Sequence, residues 1–199
     1  MTRQARTQYY TAATQDGFIA DDDHSLEWLF QVPEPGNEDY PGFIKEVGAL
    51  AMGASTYEWV LRHSILPGAD HPTPWPYEQP TWVFSHHPHQ SVSGADIRFV
   101  QGDVLPVHRD MRAAAGDRHI WIVGGGDLVG QFHDAGLLDE IIVTIASVTL
   151  GSGKPLLPRR ITSSSLHLTS AQRLNSGFAQ LRYDVRGVHS PGSRTSPLL

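Results

Sequence analysis

Apolar positions recur in two rhythms along the first 185 residues. Short runs rich in β-branched and aromatic residues, bounded by Gly, Pro, Asp or Ser, predict about eight strands. They are "QYYTAAT" (8–14), "ALAMG" (49–53), "TWVFS" (81–85), "DIRFVQG" (96–102), "HIWIVGG" (119–125), "EIIVTIASVTL" (140–150), "LHLTSA" (166–171) and "FAQLRYDV" (178–185). Between several of them lie segments of helical period: "NEDYPGFIKEVG", "STYEWVLRHS", "VLPVHRDMRAAAG" and "GDLVGQFHDAGL". The second of these opens on a Ser/Thr cap at Ser55 or Thr56. Strand and helix alternate up to about Leu138, and three strands then follow with little room for helix between them. The pattern predicts an α/β fold with a largely parallel sheet finished by an antiparallel hairpin.

Two long stretches break the rhythm. Residues Asp21 to Asp39, "DDDHSLEWLFQVPEPGNED", and Ser64 to Pro80, "SILPGADHPTPWPYEQP", are dense in turn formers and aromatics. Loops of this length within a domain are more often functional than incidental. The tail "RGVHSPGSRTSPLL", residues 186–199, has no periodic signal and is expected to be disordered, leaving one domain over residues 1–185. No internal repeat is present.

Composition narrows the classes. With 40% apolar and 18% charged residues, the chain suits an ordinary soluble globule. Its net charge of −6 argues against nucleic acid as a partner. The basic residues are 13 Arg and 2 Lys, mostly planar forks suited to phosphate or carboxylate, in an Arg-rich, Lys-poor composition that would suit a GC-rich bacterial genome. There is no cysteine, so thiolate metal sites and Cys nucleophiles are excluded. The N-terminus lacks the apolar run of a signal peptide and no window is long enough to span a membrane, so a cytoplasmic protein is expected.

The most informative residues are glycines. Gly124, Gly125 and Gly126 end an apolar strand and feed a helical segment. Bare backbone there allows close approach of a ligand, and a helix N-terminus offers unpaired N–H groups to a pyrophosphate. A tight strand-to-helix turn could use the same residues for steric reasons alone, and the spacing is not G-x-G-x-x-G. A second corner of this kind lies in "ALAMGASTYEWV", at Gly53. Two such corners on one sheet could grip the two ends of a dinucleotide.

Taken in order, "TAATQDGFIAD", "DYPGF", "LAMGASTYEWV", "TWVFSHHP" and "IWIVGGGDLVGQFHDAGLLDEIIVTIASVTLGSGKPLLP" resemble the dihydrofolate reductase superfamily. Within it the chain is most similar, over about Tyr9 to Val185, to the group related to the C-terminal reductase domain of the bacterial riboflavin-biosynthesis deaminase/reductase. The resemblance implies a twisted, mostly parallel eight-stranded sheet with NADPH along its carboxyl edge. By position, Ala12 and Ile19 would line the nicotinamide side. Gly53, Ala54, Ser55 and Thr56 would meet the phosphates at one helix. Val123, Gly124, Gly125, Gly126, Asp127 and Leu128 would hold the pyrophosphate and ribose at the other. Ser85 and His86 fall where the family contacts the adenosine 2'-phosphate. A homodimer is also implied.

Hydride transfer needs an acceptor held against the nicotinamide and a proton source. In dihydrofolate reductases a carboxylate four residues before a helical Phe binds the substrate, which here falls on Asp39 before Phe43. The strand residue supporting that carboxylate falls on Thr144. Asp39 could equally be a helix N-cap beside Asn37 and Glu38. Trp28 and Leu29 are either an apolar staple or a wall over the substrate, and Trp75, Trp82 and Tyr77 either a lid or a dimer surface.

The sequence also departs from its relatives. Ala54 stands where dihydrofolate reductases often carry Arg, which leaves NADH open beside NADPH. The riboflavin-pathway Ser-Leu-Asp-Gly-Lys run is replaced by "ATQDGFI", which keeps Asp16 and Gly17 without the Lys, and no "DNP" segment follows "STYEWV". Neither named substrate is therefore expected. The group "SHHPHQ" lacks an acidic residue, so no metal is expected, and no G-x-S-x-G elbow supports a hydrolase. The expected function is an NADPH-dependent reductase of a small heterocyclic or carbonyl substrate. Its rival is a non-catalytic nucleotide-binding module or sensor of the same fold.

Overall fold

In a computed structural model, which describes residues 5–33, 39–65, 73–162 and 164–186, the period-two runs become strands. In chain order the elements are β1 (Thr7–Thr14), β2 (Phe18–Ala20), α1 (Glu27–Phe30), α2 (Tyr40–Lys45), β3 (Val47–Gly53), α3 (Ala54–Val60), β4 (Thr81–Phe84) and β5 (Ile97–Val100). They continue with α4 (Val104–Ala115), β6 (His119–Gly124), α5 (Gly126–Asp134), β7 (Glu140–Ala146), β8 (Lys154–Pro155), β9 (Leu166–Arg173) and β10 (Phe178–Val185).

The main sheet has eight strands in the order β5, β4, β3, β6, β1, β7, β10, β9. The first six are parallel, and β10 runs antiparallel to both β7 and β9. The expected α/β sheet with a closing antiparallel hairpin is the fold observed. Because β6 inserts between β3 and β1, the two strands that end in glycine corners lie side by side.

Strand alternation sorts the two faces. Tyr9, Ala51, Ile120, Ile122 and Ile141 point toward α4 and α5 and pack on Val107, Met111, Val129 and Phe132. Met111 and Phe132 are fully buried, and each side chain of that size contributes about 1.5–3 kcal/mol by leaving water. Tyr10, Leu50, Trp121 and Ile142 point the other way, under Tyr40, Phe43 and Ile44 of α2 and under Tyr77. That second face is the one covered by α2.

Several elements differ from the pattern read in the sequence. The irregular stretch from Asp21 holds the short helix α1, and β2 just before it pairs with β8 in a separate two-stranded ribbon. Two- and three-residue strands are too short to show a period. The strand predicted to reach Leu150 ends at Ala146, since Asp16 captures the backbone N–H groups of Leu150 and Gly151 at 3.0 and 2.7 Å. The cap of α3 is Gly53 in extended conformation, with no side-chain cap bond, and Ser55 and Thr56 lie within the helix. Beyond Val60 the helix widens into a π-helical turn, Leu61–Ile65, where the His63 ring bonds the Trp59 carbonyl at 2.8 Å.

Trp82 is neither lid nor dimer surface: it is a β4 core residue, 2% exposed, with the Arg98 guanidinium 4.5 Å from its ring centroid. Trp75 and Tyr77 pack inward against Tyr57 and Trp121. Residues 187–199 of the expected tail, and Asn37 and Glu38 of the expected cap, lie outside the described residues. Among the described residues no helix is long and apolar enough to cross a membrane.

Candidate functional site

A cavity of about 630 Å3 runs along the carboxyl ends of β1, β3, β4 and β6. Parallel α/β sheets bind ligands at this edge. Its wall includes Ala12, Ile19 and Trp28 at one end, Gly53 to Thr56 and Val123 to Leu128 in the middle, and Ser85, His86 and Gln101 at the other. All fourteen residues that the family resemblance placed beside the cofactor line this one cavity.

The two glycine corners touch each other. A Cβ on Gly53 would sit 3.8 Å from the Gly125 nitrogen, and one on Gly124 would sit 3.2 Å from Thr56 Oγ1. The peptide between Gly124 and Gly125 is cis. Three adjacent glycines then do different jobs. A Cβ on Gly126 would meet the Leu156 carbonyl oxygen at 2.6 Å, so this glycine lets the chain of β8 cross the helix start. A Cβ on Gly125 would meet only Ile19 Cδ1, at 3.9 Å, and both residues line the cavity.

Gly125 caps α5, with Gly126 as the first helical residue. The first-turn N–H groups of a helix have no partner within it, and Gly126, Asp127 and Leu128 of this turn line the cavity. Asp127 in that turn would oppose an anion, but Arg159 pairs with it at 3.2 Å and with Asp134 at 2.7 Å. The Arg159 neighbourhood holds the Asp134 carboxyl below its ordinary range, first through its hydrogen bond. Lys154 brings a positive charge to the wall and is the one Lys or Arg among the described lining residues.

At the β4 end, Ser85 Oγ accepts the His87 N–H at 3.0 Å and lies 2.6 Å from His89 Nε2. His86 is exposed on the rim. At the β1 end, Trp28 is 5% exposed, packs on Ala146 and Phe178 and lines the cavity, so both readings of this residue describe part of its position. Its indole Nε1 is buried without a partner among the described residues.

Asp39 is not in the cavity wall. It stands at the N-cap position of α2 but makes no side-chain cap bond. Its carboxylate instead accepts the Tyr10 hydroxyl at 2.8 Å, Gln180 Nε2 at 2.9 Å and Arg182 Nη2 at 3.0 Å. Burial, then the bond to Asp39, pushes the Tyr10 hydroxyl pKa above its ordinary value. Thr144, named as the support of Asp39, is not among its hydrogen-bond partners. Thr144 pairs in register with Gln180, and its hydroxyl is buried near Tyr10 without a well-formed hydrogen bond. Phe43 packs edge-on against Tyr10 and Trp121, with ring centroids 4.5 and 5.4 Å away. It lies beneath the cluster and not in the cavity wall.

Gln180, Arg182, Lys154, Trp59 and His24 are lining or cluster residues that the sequence reading did not select. Gln180 and Arg182 had a signal: two polar residues at alternate positions of one strand, on the face that carries Tyr10. His24 had none, although its left-handed backbone, φ 62°, sits in a turn that Asp21 closes onto Ser25. Among the described residues no cluster of His, Asp and Glu could hold a metal ion.

The sheet order, the hairpin and the carboxyl-edge cavity define a dihydrofolate reductase-like fold. The RibD C-terminal domain family matches residues 70–179, and the chain belongs to this family. The uncharacterized protein YwjB of Bacillus subtilis (strain 168) is 31% identical over 182 residues, covering 90% of this chain and 98% of its own. A crystal structure of a protein provisionally assigned to riboflavin biosynthesis, from Shewanella sp. PV-4, superposes with a TM-score of 0.75 at 27% identity, over 91% of this chain and 99% of that one. Dihydrofolate reductase from Enterococcus faecalis, solved with NADP(H) and RAB-propyl, has a TM-score of 0.59 at 15% identity, over 93% and 99%. That last likeness is one of fold.

Proposed function

We propose that this chain is an NADPH-dependent reductase transferring hydride to a C=N or C=O bond of a small heterocyclic or carbonyl compound. One observation carries the reading: two glycine corners meet in the wall of one cavity, and a Cβ on Gly125 would meet nothing there but Ile19 Cδ1. That is a cradle for a linked pair of phosphates with a ring system to either side. Membership of the RibD C-terminal domain family and the fold shared with an NADP(H)-bound dihydrofolate reductase support it.

In this reading Gly124 to Leu128 and Gly53 to Thr56 hold the phosphates, Ala12 and Ile19 flank the nicotinamide, and Ser85 and His86 meet the adenosine end. The bound cofactor supplies the hydride. Trp28 closes the apolar end against water. Asp39 is fixed by three donors and orients Arg182, whose charge faces the side where substrate would lie. The Tyr10 hydroxyl stays protonated at neutral pH and holds a proton against Asp39.

The same saturation of Asp39 favours a second reading, in which the dinucleotide is bound without turnover. Titration of the purified protein with NADPH, followed by quenching of tryptophan emission, tests the shared premise. Saturable binding is expected, and a Gly125→Leu variant should weaken it about a hundredfold. Absence of binding by both NADPH and NADH overturns both readings. Oxidation of bound NADPH by any member of a carbonyl and cyclic-imine panel decides between them.

A further inference from the structure

The stretch from Asp21 to Asp39 interrupts the rhythm of strand and helix, and the proposed chemistry leaves part of it without a task. Its helix α1 is anchored by Trp28, which is 5% exposed, and by Leu29, both packed with Ala146 and Phe178. The next residue, Phe30, is 65% exposed. Its ring faces Trp59 of α3, nearly parallel, with centroids 6.4 Å apart and planes at 19°. Trp59 lines the cavity, and so do Leu29 and Val60, the chain neighbours of the two rings. The pair therefore joins α1 to α3 at the edge of the cavity.

The two rings are held differently. Where the backbone widens after Val60, His63 Nδ1 donates to the Trp59 carbonyl at 2.8 Å, and the His63 ring stacks on the indole at 4.1 Å and 17°. Trp59 is thereby fixed in advance, and a fixed ring loses little freedom when a ligand stacks on it. Phe30 stands largely in water and can adjust. Rings in full face contact would have centroids about 3.5–4.0 Å apart, so at 6.4 Å Phe30 and Trp59 leave each other's faces largely uncovered. The indole N–H groups of Trp28 and Trp59 are both buried with no partner among the described residues, a costly state for a donor.

We infer that Phe30 and Trp59 are an aromatic clamp, and that the substrate is a flat, electron-poor ring compound whose ring they hold. The inference rests on the reductase reading above and names the substrate class for it. The faces of both rings are negative, so the ring that suits them is one drained of electron density by a conjugated carbonyl or a ring nitrogen. The same withdrawal makes a C=O or C=N bond a better hydride acceptor. The oxygen or nitrogen of such a ring is also the acceptor that the two indole N–H groups lack. Leu29 and Val60 beside the rings carry no charge, so recognition at this end is by shape and stacking.

The test is calorimetric titration of the wild type, Phe30→Leu and Trp59→Leu, with NADP+ present, using acetylnaphthalene and its saturated counterpart acetyldecalin. The two probes share a carbonyl and a carbon count, and the saturated one is the more hydrophobic, so a preference for the flat ring reports stacking and not burial. The wild type should bind acetylnaphthalene about tenfold more tightly, as expected for a ring stacked on two others. Both variants should keep their affinity for acetyldecalin and lose the preference. Phe30→Leu alters an exposed side chain and decides the matter alone if Trp59→Leu fails to fold. No affinity for acetylnaphthalene, equal affinity for the two probes, or a preference that survives Phe30→Leu overturns the clamp and leaves the reductase reading standing. NADPH and NADH are titrated in parallel. Failure of the wild type to bind either overturns the reductase reading, and the clamp as its substrate site with it.

Discussion

The glycine corners and the Asp39 cluster are built from different materials. The corners are backbone: Gly53 and Gly124 end adjacent parallel strands, Gly125 follows directly, and the sheet itself brings them together. The cluster is side chains: Tyr10 from β1, Asp39 from the start of α2, and Gln180 and Arg182 from β10 converge on one carboxylate. A backbone site tolerates change in what surrounds it as long as Cβ atoms stay out. A side-chain site is redefined by one substitution. In the proposed reading the corners hold the dinucleotide, and the Asp39 end is where one substitution can change substrate choice.

Paired variants of neighbouring glycines give the sharpest test. Gly125→Leu should weaken NADPH binding about a hundredfold, roughly 2.7 kcal/mol, with little change in unfolding free energy. Gly126→Ala should instead cost about 1–3 kcal/mol of stability in urea, because its Cβ meets backbone carbonyls that must shift. If Gly125→Leu unfolds the protein as well, the corner is structural and the comparison fails.

At the side-chain end the expected effect is smaller. Arg182→Gln should lower kcat/KM for a substrate found by screening about tenfold while leaving the NADPH dissociation constant unchanged. Equal losses in both quantities would show that the two regions are one site.

Alkaline unfolding offers a third measurement. The folded-state pKa values of Tyr10, Tyr9 and Tyr77 are raised, chiefly by burial. Their contribution to stability is fully present below about pH 10, the unfolded value, and is lost as pH rises through the folded values. Tyr10→Phe should make this decline shallower by up to about 1.4 kcal/mol per pH unit. The smallest effect lies on the acid side. The Asp16 carboxyl is held below its ordinary range first by the Thr14 hydroxyl and then by the Gly151 N–H. Its contribution is present above about pH 4 and lost as pH falls through the folded value, so Asp16→Asn should flatten the thermal melting temperature between pH 4 and 2.

The same difference in material explains what could be read from the chain. Eight strands and the two corners were legible because period-two runs and clustered glycines are local signals. The cluster was legible only in Asp39, through its spacing from Phe43. Gln180 and Arg182 come from a strand about 140 positions later, and only the antiparallel placement of β10 beside β7 brings them to it. Thr144 shows the converse: it lies on the same face in the next row, yet Tyr10, Gln180 and Arg182 are the groups that reach the carboxylate. The cap of α3, expected at Ser55 or Thr56, was misread for a related reason. Where bare backbone must face the cavity, Gly53 and Gly125 take the capping position that Ser or Thr would hold elsewhere.

The β2 and β8 ribbon joins the loop after β1 to the loop after β7, through Phe18 with Pro155, Ala20 with Lys154, and the Leu156 N–H on the Gly17 carbonyl at 2.9 Å. Ile19 and Lys154, one on each side of this clasp, both border the cavity. The two loops are thereby yoked, so that a displacement of either would carry an apolar and a cationic group together along the same cavity wall.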